Sequence, residues 1–176
     1  MNTTNVFQQL RMIKSPKEIE LISHACGITD SIYATIIKKL RTNSFLTEND
    51  IVKYITLEAF KNNVSVSFPP IVASGVSSSE VHYHSSQFLK KGFLLLDFGI
   101  SYKGYCSDMT RMIYLGKPSK KEMNDFARVS VAYEYAYSVL KEGIKLKEVD
   151  AEVRKRIKLP HALGHGVGIE VHELPT

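Results

Sequence analysis

The segment from Phe93 to Leu115 constrains the fold more than any other part of the chain. Two β-prone runs, Phe93 to Ile100 and Tyr105 to Leu115, flank Ser101-Tyr102-Lys103-Gly104, a short turn containing glycine. They predict a β-hairpin. A hairpin centred between Tyr102 and Lys103 pairs positions whose numbers sum to 205, so Asp97 is expected opposite Asp108. Directly opposed residues share a face, with Cβ atoms ~4.5–5.5 Å apart. Two like charges that close, beside Leu95, Leu96, Phe98 and Met109, destabilise the sheet unless one carboxyl holds a proton or a cation lies between them. A pair of divalent ions ~3.5–4 Å apart, bridged by a carboxylate, is a recurring hydrolytic arrangement. The competing arrangement leaves both aspartates on a solvated face, each paired with a cation such as Arg111. A one-residue slip would put them on opposite faces.

Helices surround this hairpin. Ser15-Pro16-Lys17-Glu18 is a capping box with proline in the first turn. Behind it Ile19, Ile22, Cys26, Ile28, Ile32, Ile36 and Leu40 recur at helical spacing. A second helix is expected after Thr47, with Ile51, Ile55, Ala59 and Phe60 on its buried side. Ser119-Lys120-Lys121-Glu122 opens a third, carrying Met123, Phe126, Ala127, Val131 and Leu140 and ended by Gly143; a shorter helix is expected near 147–157. Val64 to Ala73 is β-prone, but Pro69-Pro70 demotes it to an edge or bulged strand. A glycine-rich strand closes the order. The pattern predicts an α+β fold, with helices covering one face of an antiparallel sheet.

Composition excludes several classes. The 176 residues suit one domain. With 44% hydrophobic and 23% charged residues, wholesale disorder is excluded. No apolar run reaches the ~18 residues of a membrane span, and the N-terminus lacks the basic and apolar regions of a signal peptide. Two cysteines, Cys26 and Cys106, make no disulfide framework and fit reduced thiols in a cytoplasm. The net charge of +5 is dispersed; its densest run, Arg154-Lys155-Arg156 and Lys158, fits a solvated helix face better than a nucleic-acid site.

The tail, His161-Ala162-Leu163-Gly164-His165-Gly166-Val167-Gly168-Ile169-Glu170-Val171-His172-Glu173, holds three of the six histidines. Neutral imidazole is a good ligand near pH 7, and interspersed glycine lets backbone approach a ligand or strand. The spacing is neither the helical zinc-peptidase pattern nor a dinucleotide fingerprint. Three histidines in this setting point to a site.

These stretches together resemble the creatinase/methionine aminopeptidase superfamily of metallopeptidases, whose fold is the pita-bread fold, and most of all its Xaa-Pro aminopeptidase and prolidase branch. The resemblance is carried in family order by Arg11-Met12-Ile13-Lys14-Ser15-Pro16-Lys17-Glu18-Ile19, Pro69-Pro70-Ile71-Val72-Ala73-Ser74-Gly75 and Val81-His82-Tyr83. It continues in Leu95-Leu96-Asp97-Phe98-Gly99, Gly104-Tyr105-Cys106-Ser107-Asp108-Met109-Thr110-Arg111 and His161 to Gly168. It implies a single pita-bread catalytic domain over 1–176, lacking the creatinase-type N-terminal domain. It implies an exopeptidase that removes an N-terminal residue from peptides, Xaa-Pro directed, through a metal-activated hydroxide. Asp97 would be a bidentate ligand of one metal, Asp108 would bridge two, and His165 would ligate the other. His82 and His172 would act in catalysis and His161 in substrate binding, with His84 a rival for the role of His82. Manganese is the implied cofactor, with cobalt, zinc or iron as alternatives. The implied partner is a peptide substrate, with no nucleic acid and no membrane; a homodimer stays open.

The sequence also departs from that pattern. The family site uses two further glutamates on later strands, and this sequence runs only eleven residues beyond His165. Glu170 and Glu173 are poor substitutes, because in an extended strand Glu173 lies ~26 Å from His165. Two divalent ions carry four positive charges, and Asp97 with Asp108 supplies two negative ones. The chain is therefore expected to be C-terminally truncated, to bind at most one metal well, to hydrolyse weakly if at all, and to expose a sheet edge whose last strands are missing. A catalytically dead peptide- or protein-binding module and a methionine aminopeptidase are the alternative readings.

Overall fold

A computed structural model describes residues 3–80, 83–85 and 87–175. The chain divides into two compact units, one comprising Met1–Gly116 with Gly166–Pro175 and the other Lys117–His165 with Thr176.

The first unit opens with helices α1 (Thr3–Met12), α2 (Pro16–Arg41) and α3 (Glu48–Lys61). Serine caps α2 as its sequence predicts: the Ser15 hydroxyl accepts from the Glu18 amide, and the Glu18 carboxylate accepts from the Ser15 amide. Thr47 and Asp50 form the same reciprocal cap on α3. Strands β1 (Ser65–Val66), β2 (Ile71–Ser74), β3 (Gly92–Phe98), β4 (Ile100–Tyr102), β5 (Tyr105–Cys106) and β6 (Met109–Leu115) follow, with a 3₁₀ turn at Gly75–Ser79. They form two antiparallel sheets, ordered β1-β4-β5 and β2-β3-β6. Pro69-Pro70 divides the expected Val64–Ala73 strand, so β1 and β2 sit at the edges of different sheets.

Alternation along β3 and β4 decides which face carries chemistry. Leu94, Leu96, Phe98 and Ile100 are fully buried and pack with Ile32 and Ile36 of α2 and Ile51, Ile55 and Ala59 of α3. Asp97 is out of phase with that set, so it lies on the sheet face away from the helices. Several expected core positions are exposed instead, among them Ile19 (57% exposed) and Cys26 on α2, Phe60 (77% exposed) on α3, and Met123 (58% exposed) on the next helix. Ala25 and Thr29, small enough for close approach, take the buried stripe of α2 with Ile32 and Ile36.

The hairpin forms, with its turn one residue later than expected. Lys103 (φ 49°) and Gly104 (φ 84°) both adopt the left-handed region, which makes a two-residue turn and leaves Ser101 and Tyr102 in the ladder. Asp97 therefore faces Thr110, and Phe98 faces Met109; Asp108 is not directly opposite Asp97. A two-residue displacement keeps the alternation, so this correction does not exchange the faces.

The second unit packs α4 (Lys120–Val139) on α5 (Leu146–Arg154) around Ala132, Ala136, Val149 and Val153. The Ser119–Glu122 capping box is present, but α4 ends at Val139 rather than Gly143, and Phe126, Val131 and Leu140 are exposed. Alanines at i and i+4 supply the contact stripe instead. Among the described residues no helix is long and apolar enough to cross a membrane.

Candidate functional site

Asp97 sits near the end of β3, half-buried, and its Oδ1 accepts a hydrogen bond from the Thr110 hydroxyl at 2.9 Å. Asp108 lies between β5 and β6, where the ladder is interrupted. The interruption is held by side chains. The Ser67 hydroxyl donates to the Ser107 carbonyl (2.9 Å), the Ile100 amide donates to the Ser107 hydroxyl (2.9 Å), and Ser107 and Thr29 share a buried hydroxyl contact of 2.7 Å. These bonds fix the backbone immediately before Asp108.

The glycine-rich tail is not the expected strand. It folds back so that Gly166 and Glu173 exchange backbone hydrogen bonds, both 2.9 Å. The Gly168 amide donates to Glu170 O at 3.0 Å, and the Cys106 amide donates to Gly168 O at 2.7 Å, which attaches the turn to β5. Glycine is required there: a Cβ on Gly166 would meet Leu174 O at 2.3 Å, and one on Gly168 would meet Glu173 Oε2 at 2.6 Å.

This turn carries His172, which is solvent-exposed. A ring nitrogen of His172 and a carboxylate oxygen of Asp108 lie within 4.8 Å of one another. One oxygen and one imidazole donor at that separation suit a borderline divalent ion such as Mn²⁺, Co²⁺, Zn²⁺ or Fe²⁺. The donor set thus fits a metal, and it brings in His172, for which resemblance implies a catalytic role without ligation. His165 is exposed and immediately precedes Gly166 in the chain. His161 is exposed; its Nδ1 lies 2.7 Å from Ala162 O, and its carbonyl accepts from Arg154 Nη2 at 2.8 Å. His84 is exposed, and His82 lies outside the described residues.

Two carboxylates that sequence reasoning set aside or missed are structural centres of this region. Glu173 is not extended away, as a strand would place it. Its side chain is 4% exposed and is bound by Arg11, by Lys14 Nζ at 3.0 Å and by the Glu170 amide at 3.0 Å. Burial pushes its carboxyl up, but the Glu170 amide and the Arg11 and Lys14 cations outweigh that and hold it at about 2, against an ordinary 4.5. A carboxyl depressed in the folded state stabilises the fold above its ordinary value, and that contribution is lost as pH falls. Acid titration of the unfolding midpoint will show this loss between pH 4.5 and about 2, and Glu173→Gln will remove that part of the pH dependence.

Glu48, the first residue of α3, is wholly buried. It accepts from the Ser74 amide (2.7 Å) and hydroxyl (2.8 Å), the Tyr83 hydroxyl (2.9 Å) and the Gln87 amide (3.2 Å). Burial raises its carboxyl, and these four donors more than reverse the effect and leave it below its ordinary value. It ties the end of β2 to Tyr83 and Gln87, which flank His84. No local signal marked it, because its partners lie 26 to 39 residues away.

Residues 20–176 match the profile of metallopeptidase family M24. The chain is 35% identical over 179 residues to an uncharacterized peptidase of Bacillus subtilis, covering 96% of this chain and 50% of that protein. It is 34% identical over 180 residues to a Xaa-Pro dipeptidase of Pyrococcus furiosus, covering 97% and 51%. Among solved structures, a Xaa-Pro dipeptidase from Bacillus anthracis superposes with a TM-score of 0.88 at 34% identity, covering 96% of this chain and 50% of that one. The chain spans about half the length of the curated relatives it matches.

Proposed function

The chain belongs to metallopeptidase family M24, and from that premise we propose that it carries the metal-binding face of a divalent-metal-dependent exopeptidase that releases an N-terminal residue preceding proline. The pita-bread fold is shared with Xaa-Pro dipeptidases of known structure. The observation that carries the proposal is the approach of Asp108 and His172 to within 4.8 Å, on a turn that a buried ion cluster holds against β5. Asp97, Asp108 and His165 would hold the metal by the resemblance, although among the described residues the donors lying within 4.8 Å of one another include Asp108 and His172 and not Asp97. His172 and His82 would move protons and steady developing negative charge, and His161 would bind substrate. When bound, a divalent ion polarises a peptide carbonyl and acidifies water. The face bearing Asp97 is opposite the helix-packed core, so a peptide can reach the carboxylates without disturbing Leu94, Leu96 or Phe98. Manganese is the first candidate.

Calorimetric titration tests this. One Mn²⁺ per chain is expected to bind tightly, and Asp108→Asn, which removes a ligand charge, should weaken it by more than the roughly tenfold to hundredfold that loss of an outer partner of a ligand costs, with the fold intact. Two tightly bound ions per chain would contradict the one-ion expectation. Metal-dependent cleavage of Xaa-Pro peptides in preference to Met-Ala peptides would support the proline-directed reading. Peptide binding without metal uptake or cleavage would instead support a dead binding module.

A further inference from the structure

We propose that Arg11 and Lys14 are positioning residues for His172, acting through the Glu173 carboxylate. This deepens the metallopeptidase reading and rests on it for the role of His172. Arg11 and Lys14 lie at the end of α1 and in the link to α2, some 160 residues from Glu173 in sequence. Both are shielded from solvent, with side chains 28% and 14% exposed, and the carboxylate they share is 4% exposed. Arg11 also reaches Glu170, with Nη1 3.3 Å from Oε1. The two cations therefore clamp both ends of the short segment Glu170–Glu173 that contains His172.

The clamp is continuous with the site. The Glu173 oxygen bound by Arg11 also accepts from the Glu170 amide, closing the turn from inside. Gly168 lies directly over the same carboxylate, and its carbonyl takes the Cys106 amide two residues before Asp108. Removing either cation leaves a buried carboxylate short of a charged donor, and opening the turn is the nearest relief. Opening it carries His172 away from Asp108. The Arg11–Lys14 stretch thus acts at a distance on the site without touching a substrate or metal.

Nuclear magnetic resonance of the full chain tests the proposal, with Arg11→Met and Lys14→Met as variants and Arg11→Lys as the conservative control. Both methionine variants should shift the His172 ring resonances and speed exchange of the Gly166 and Glu173 amides by about a hundredfold. The Leu94 and Leu96 amides in the core should stay protected. The ring of His24, which packs on Tyr102 at 4.1 Å, should not respond. Arg11→Lys should restore most of the His172 signature. Unchanged His172 resonances in both methionine variants would overturn the proposal. So would uniform loss of core protection in both, which would make the cluster a stability element only. Mn²⁺ titration of the unsubstituted chain is a separate arm: no uptake there counts against the metallopeptidase reading, not against the clamp.

Discussion

Glu48→Ala will destabilise the first unit by about 4 kcal/mol, read as a shift in the denaturant midpoint. A buried donor left without its acceptor costs roughly 1–3 kcal/mol. Glu48 serves four donors on Ser74, Tyr83 and Gln87, and their losses are not fully additive because they share one carboxylate. Glu48→Gln keeps the shape but presents an amide nitrogen to donor groups, so it should lose about half as much. The strand end at Ser74 and the residues flanking His84 should then open first, and limited proteolysis between β2 and β3 should speed up before global unfolding does. A loss under about 1 kcal/mol in Glu48→Ala would show that water replaces the carboxylate and that Glu48 is no hub.

Gly99→Ala will cost about 3 kcal/mol, the upper end of what overpacking typically costs. A Cβ at this position would lie 1.9 Å from the Ser107 carbonyl oxygen and 2.4 Å from the Ser67 hydroxyl. The first obstacle is backbone, which cannot rotate aside as a side chain can, so the strands must separate. Gly99 joins β3 to β4 opposite the interruption that holds Ser107 and Asp108. The same substitution should therefore displace Asp108 and weaken Mn²⁺ uptake. Gly164→Ala is the control: nothing lies within 4 Å of its Cβ, so its effect should stay within about 0.5 kcal/mol. A loss in Gly99→Ala no larger than that in Gly164→Ala would mean that the Ser107 backbone yields to a Cβ and that close contact does not require glycine here.

Sequence reasoning went furthest where the cause was local. The capping boxes at Ser15 and Ser119 lie where they were expected, because each is settled within four residues. The Pro69-Pro70 pair marked a weakness in the Val64–Ala73 run, but each of the three expected strands is split between two sheets, the two hairpin runs at Gly99 and at Ser107-Asp108, where contacts between distant residues set the break. The hairpin was legible, but its register was not. Moving the turn from Ser101–Gly104 to Lys103-Gly104 set Thr110 opposite Asp97, a choice made by the left-handed conformations of two adjacent residues. Helix faces were read partly wrongly, since apolar spacing does not say which stripe another element will cover, as Phe60 and Met123 illustrate.

The α+β class and the starts of α2, α3 and α4 were determined by the sequence, through caps, alternation and turn residues acting over a few positions; α1 (Thr3–Met12) was not anticipated, and the ligand roles of Asp97 and Asp108 rest on family resemblance rather than on these local signals. The return of the tail onto itself, the burial of Glu173 beneath Arg11 and Lys14, and the four-donor cradle of Glu48 were decided only in three dimensions. A charge finds its partner by proximity after the chain has packed. Because desolvation penalises every buried carboxylate alike, sequence cannot say which distant cations or amides will offset it.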